Sequence, residues 1–262
     1  MRKLIKNGYL GLMLFFFYLP IIYTVVFSFN ESKSLSSFTG FSLKWYEKMI
    51  HSHDMLSSVF YTVAIALLAT AVSTVAGTVT AIGLSRSGKK LRGIVSQVND
   101  LPIMNPDIVT AIGLLMFFST ISVKKGFLTM LLAHIMFCIP YVMLSVMPKL
   151  RSLDPNLLDA ALDLGCTPMK AVTKVIVPQI TSGIVTGALI SFTMSFDDFV
   201  ISYFVTGNGV NNISIIVYTM AKRINPSINA LSAVIIVLIT ATLLVANLLP
   251  ILHEKIYKQK GI

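Results

Sequence analysis

Apolar residues in this chain gather into six long runs, near residues 8–29, 57–85, 95–120, 127–147, 178–205 and 228–250, with most of the charge between them. A helix needs about twenty residues, at about 1.5 Å each, to cross roughly 30 Å of hydrocarbon. The pattern therefore predicts an all-α integral membrane fold of six transmembrane helices. An even count puts both termini on one side. Sorting lysines and arginines by loop gives fourteen on the side of the termini and seven on the other, so both termini are predicted to be cytoplasmic. No internal repeat occurs and no loop is long enough to fold alone, which makes residues 1–262 one transmembrane domain.

Smaller signals refine the elements. The first run follows Arg2, Lys3 and Lys6. It is longer than the apolar part of a signal peptide and no small-x-small site follows, so it reads as an uncleaved span. Loop 30–56 holds the only tryptophan, Trp45, and reads as a short interfacial helix on the outer face. Run 57–85 is rich in Ala, Thr, Ser and Gly, and Gly183-Ile184-Val185-Thr186-Gly187 stands in the fifth run. Both suit close approach of helix backbones. Between the fourth and fifth runs, Asp154 precedes Pro155 and Gly165 follows about ten residues later, the start and stop signals of a short helix.

Composition agrees with a bilayer setting. The chain is 55% hydrophobic and 12% charged, with a mean hydropathy of +0.80, against roughly 25% charge in a soluble domain. The net charge of +10 flanks apolar runs, which suits topology signals and anionic lipid rather than nucleic acid. Cys138 lies in an apolar run and Cys166 in the loop before the fifth, so no disulfide framework is expected.

Chemistry inside the bilayer is confined to a few carboxylates. Asp197 and Asp198 interrupt an uncharged run, and one Asp at the bilayer centre costs about 2.5–3.5 kcal/mol. The pair must face a polar cavity or a partner, or stay partly protonated; the structural reading is a cap or an inter-subunit hydrogen bond. Adjacent helical residues point about 100° apart, so at most one is expected to look straight into a pore while its neighbour turns toward an adjacent helix. Asp107 follows Asn105-Pro106, where the proline removes a donor and breaks the third run. It either lines a cavity or caps the next helical segment; Asp100 reads as structural. Gly83–Lys90 nearly has the spacing of a phosphate-binding loop, but Lys90 stands where the hydroxyl belongs and no strand precedes it. His51 and His53 read as solvated, and His134 as packing.

The string Leu158-Asp159-Ala160-Ala161-Leu162-Asp163-Leu164-Gly165, followed by Ile176-Val177-Pro178, resembles the "EAA" loop of bacterial ABC-importer permeases. Asp159 replaces the usual Glu, the ending is shortened, and Cys166-Thr167-Pro168 departs from the pattern. Further strings resemble the spermidine/putrescine branch, among them Lys44-Trp45-Tyr46, Asn105-Pro106-Asp107 and Ser191 through Val200. The resemblance implies a MetI-like type I importer permease for polyamines in the bacterial inner membrane. It implies that Trp45, Asp107, Ser195, Asp197 and Asp198 line the cargo path, while Asp159, Ala160, Ala161 and Gly165 contact the ATPase. Implied partners are a second permease, an ATPase dimer that binds ATP and Mg, and an extracytoplasmic polyamine-binding protein. No cofactor is expected on this chain itself.

Within the permease reading, an iron or aminophosphonate complex is the alternative cargo. A secondary cation transporter would need no docking helix. An intramembrane aspartyl protease would need Tyr and Gly-x-Gly contexts that Asp107 and Asp197 lack.

Overall fold

The computed structural model describes residues 2–207, 209–221 and 225–241. Their regular structure is helical, with one isolated β-bridge, Asn30 to Phe41. Four helices are long and apolar enough to cross a membrane, Lys6–Ser28, His53–Ser85, Phe127–Arg151 and Pro168–Asp197; a bent pair, Lys89–Met104 with Asp107–Thr120, makes a fifth if counted as one span. Of the sixth predicted run, Ser227–Ala241 is a shorter apolar helix, and the rest lies outside the described residues.

The chain divides into two compact units, one from the described parts of Met1–Leu56 and Val217–Ile262, the other Ser57–Ile216. In the first, α1 (Arg2–Ser28) leads into a polar loop and then α2 (Lys44–Ile50). Asn30 organises that loop. Its Nδ2 donates to the carbonyls of Ser34 and Ser37, both at 2.9 Å, and its Oδ1 accepts from Thr39 N at 2.9 Å. The indole Nε1 of buried Trp45 donates to the Asn30 carbonyl at 2.7 Å.

The second unit is built around α6 (Phe127–Arg151). It packs along α9 (Val177–Asp197) and meets α4 (Lys89–Met104) and α10 (Val200–Val205); α10 also packs on α5 (Asp107–Thr120). Small residues decide the helix approach. A Cβ at Gly187 would stand 3.0 Å from Val142 Cα, one at Gly183 2.9 Å from the Ser145 carbonyl, and one on Gly77 of α3 (His53–Ser85) 2.8 Å from Val142 Cβ. Both small-residue runs thus pack closely, as their composition predicts, and the helix both approach is α6. Apolar clusters form at two levels, one around Leu114, Met130, Phe137 and Ile201, the other around Leu84, Val146, Ile176 and Ile180.

Two predicted spans are not continuous. The third breaks at Asn105–Pro106, where the axes of α4 and α5 turn by 108°. Asn105 is extended, with φ −81° and ψ 144°, as the residue before proline tends to be. The fifth run begins helically at Pro168, ten residues before the predicted start, and ends at Asp197. A π-helical turn at Val172–Ile176 precedes Pro178, which cannot donate and crowds the turn before it.

Candidate functional site

The end of α9 shapes the first candidate region. Asp198 leaves the helix with φ −63° and ψ 127°, and its carboxylate accepts from Ser202 N at 2.7 Å and Ile201 N at 3.3 Å. It therefore caps α10, offering the backbone an alternative to continued α9. Behind the cap lies a buried polar network. His134 of α6 has Nδ1 2.6 Å from Ser195 Oγ and Nε2 2.9 Å from Ser202 Oγ, with an Asp198 carboxylate oxygen 3.5 Å away. Asn212 donates from Nδ2 to the Asp198 carbonyl at 2.7 Å and to Ser202 Oγ at 2.9 Å, and its Oδ1 accepts from Ile215 N in α11 (Ile213–Ala221). Leaving one such group unpartnered costs about 1–3 kcal/mol, so the network fixes the broken helix against α6.

The break opens a cavity of about 310 Å³ whose wall includes Asp107, Asp197 and Asp198 with Phe137, Tyr141 and Phe199. Three carboxylates from two broken helices and three aromatic rings thus share one space. Asp107 stands in the first turn of α5, where the helix dipole favours negative charge, but no side-chain hydrogen bond caps that helix; of its two readings the geometry supports the cavity wall. Asp197 and Asp198 reach the same wall because the chain leaves the helix between them, not at the 100° offset of a continuous helix. Ser195 is buried against His134 and does not line this wall. Trp45 belongs to the other unit, where its ring has Lys44 and Lys48 Nζ at 4.9 and 5.9 Å from the centroid. His134 reads from the sequence as packing but is the centre of a polar network; Ser202 and Asn212 carry no linear motif, and only the rarity of a histidine in an apolar run signals the site.

The second candidate region is the short helix α7 (Leu157–Asp163). Asp154 Oδ1 accepts from Asn156 N at 2.8 Å, but this bond closes a turn before the helix rather than capping it: Pro155 and Asn156 form that turn, and the helix starts at Leu157 with Asn156 at its cap position. At its end Gly165 adopts φ +82°. Its N–H bonds the Leu162 carbonyl at 2.9 Å and Cys166 N–H the Ala161 carbonyl at 3.1 Å, a Schellman closure that calls for glycine. Pro168 starts α8 (Pro168–Ala171) with Thr167 before it, so it extends the loop rather than distorting it. Asp159 and Ala160 are exposed, and Leu164 and Met169 are 86% and 73% exposed beside the glycine. Ala161 turns inward at 7% exposure. Arg86 Nη1 lies 3.5 Å from Asp159 Oδ1, a surface pair of little energetic weight.

The remaining candidates separate from these regions. Gly83–Ser85 completes α3 and Lys89–Lys90 starts α4, which is not a strand–loop–helix phosphate cradle. His51 Nδ1 lies 2.8 Å from the Glu47 carbonyl, and Asn99 Nδ2 donates to Asp100 Oδ1 at 3.3 Å.

Apolar helices broken around a carboxylate-lined cavity, with a short capped helix between two of them, define a membrane transport component. Residues 73–257 match the family described as "Binding-protein-dependent transport system inner membrane component", and this chain belongs to that family. It is 34% identical over 249 residues, 95% of this chain and 97% of the relative, to the spermidine/putrescine transport system permease protein PotC of Haemophilus influenzae. Against the putrescine transport system permease protein PotI of Escherichia coli K12 the identity is 34% over 230 residues, 84% of this chain and 82% of the relative. The fold is shared with a chain of a bacterial ABC transporter that imports the acidic polysaccharide alginate, with a TM-score of 0.72, 14% identity and 95% coverage of both chains. It is also shared with a chain of the MetNI methionine ABC transporter in inward-facing form, with a TM-score of 0.58, 20% identity, and coverage of 71% of this chain and 91% of that one. The chain is thus an inner membrane permease component and not an enzyme.

Proposed function

We propose that this chain, one permease domain over residues 1–262, forms half of the translocation path of an ATP-driven importer for polyamines. The observation that carries the reading is the cavity bearing Asp107, Asp197 and Asp198 beside Phe137, Tyr141 and Phe199. A polyamine is a flexible polycation, and carboxylates with aromatic faces suit it. At contact distance and an effective dielectric near 20, each charge pair is worth about 4 kcal/mol before desolvation, enough to guide a cation and weak enough to release it. The curated relatives with polyamine names support the same cargo. An anionic cargo would meet three like charges.

In this reading both termini are cytoplasmic and α7 seats in a cleft of an ATPase dimer, which binds the ATP and Mg. Asp159, Ala160 and the turn at Gly165 present the contact, with Leu164 and Met169 as exposed apolar knobs. A second permease completes the path, and an extracytoplasmic binding protein delivers the polyamine. The test is ATP hydrolysis by the purified assembly with putrescine, spermidine, an iron complex and an aminophosphonate. Stimulation by the amines alone is expected. Stimulation by one of the other cargoes alone overturns the polyamine assignment, and retention of transport without any ATPase favours an ion-driven carrier.

A further inference from the structure

A second cavity, of about 390 Å³, opens where the end of α3, the last turn of α6 and the chain entering α7 meet. Three arginines line it, Arg86, Arg92 and Arg151, against a single carboxylate, Asp154, with Leu150 and Leu158 among its apolar walls. Arg92 is held in place by its own bonds. Its Nε donates to the Leu84 carbonyl at 3.1 Å, and its Nη2 to the Ser85 and Ser87 carbonyls; Nη1 takes no part in these. Among the described residues, Arg86 makes only the 3.5 Å contact to Asp159. Arg151 has no hydrogen-bond or ion-pair partner among the described residues. Guanidinium groups around one space, with donors unspent, are suited to bidentate contact with a phosphate.

What lies beside the cavity identifies the kind of phosphate. No residue of α4 is buried, and Leu91, Ile94, Val98 and Leu101, at helical spacing, are 53–61% exposed on one face. Lys89, Lys90 and Arg92 crowd the start of that helix. A basic end followed by an apolar stripe is the pattern of a helix lying in a membrane interface. The depth agrees. With 33 residues, α3 is about 50 Å long and outreaches a hydrocarbon core of about 30 Å, so its end lies at headgroup level.

We propose that this cavity holds the phosphodiester of an anionic phospholipid, whose acyl chains lie along the apolar stripe of α4. The site abuts α7, so the lipid touches the segment between α6 and the docking helix. The reading is independent of the transported cargo.

The test uses the full chain purified in detergent and offered phosphatidylglycerol and phosphatidylcholine at equal mole fraction, with retained lipid counted by native mass spectrometry. The parent retains phosphatidylglycerol in preference. Arg151→Gln and Arg86→Gln each weaken that retention about fivefold, the weight of one basic residue near a membrane surface. Leu91→Ser with Ile94→Ser weakens it as well, and Lys125→Gln, at the opposite end of α6, leaves it unchanged. Equal retention of the two lipids overturns the proposal, as does parent-like selectivity in both arginine variants. Displacement of the lipid by inorganic phosphate, together with insensitivity to the α4 substitutions, assigns the cavity to a free anion instead.

Discussion

Adjacent aspartates do different work here. Asp197 is exposed on the cavity wall, whereas Asp198 spends its carboxylate on the α10 cap and faces His134. Asp197→Asn, which removes charge and keeps shape, is expected to lower polyamine uptake roughly tenfold, the loss of part of one ion contact, with the melting temperature unchanged. Asp198→Ala is expected to lower stability by about 1–3 kcal/mol through the lost cap and the exposed network, read as a fall in melting temperature. A parent-like melt for Asp198→Ala would sink the capping role. Trp45 is likewise an anchor, buried and bonded to the loop that Asn30 organises. Trp45→Ala should cost about 3–5 kcal/mol and expose loop 31–43 to protease. Normal protease resistance with lost uptake would instead place the ring on the cargo.

At the level of elements, two glycines test two contacts. Gly165 has open space around a would-be Cβ, so Gly165→Leu acts through backbone strain alone, roughly 1–2 kcal/mol for a left-handed residue. It is expected to release the α7 end and abolish ATPase copurification while the long helices stay folded; undiminished copurification and uptake would remove the docking assignment. Gly187→Leu drives a side chain into Val142 and should part α6 from α9 at a cost of about 1–3 kcal/mol. Gly113→Leu, on α5 with nothing within 4 Å of its Cβ, is the matched control and should leave the melting temperature unchanged.

For the whole molecule, basic residues set orientation. With six crossings, fourteen of twenty-one Lys and Arg would stand on the side of the termini. A reporter joined after Ile262 should be cytoplasmic and one inserted at Ser36 external. Reversal at both sites would invert the topology, and two sites on the same side would mean an odd number of crossings. The exposed apolar faces of α1, from Tyr9 to Val26, fit a chain surrounded by lipid and companion subunits.

Apolar runs and glycine spacing were enough to determine the helical membrane class, the presence of close-packing small-residue faces and the turn ending at Gly165, because each depends on local period or on one backbone angle; that those faces meet α6 came only from the tertiary structure. The break at Pro106 was legible for the same reason, since proline acts on its own neighbours. What the chain alone left open is where the breaks lead. Asp107 and Asp197 are ninety residues apart in sequence, and only the 108° turn of α4 against α5 and the early end of α9 put them on one wall. Ser195 carried the right strings yet turns toward His134, and Ala161 sits in the docking motif yet faces inward. Helical phase and the bonds of a buried histidine decide such orientations, and both follow from packing between helices rather than from neighbouring residues in the chain.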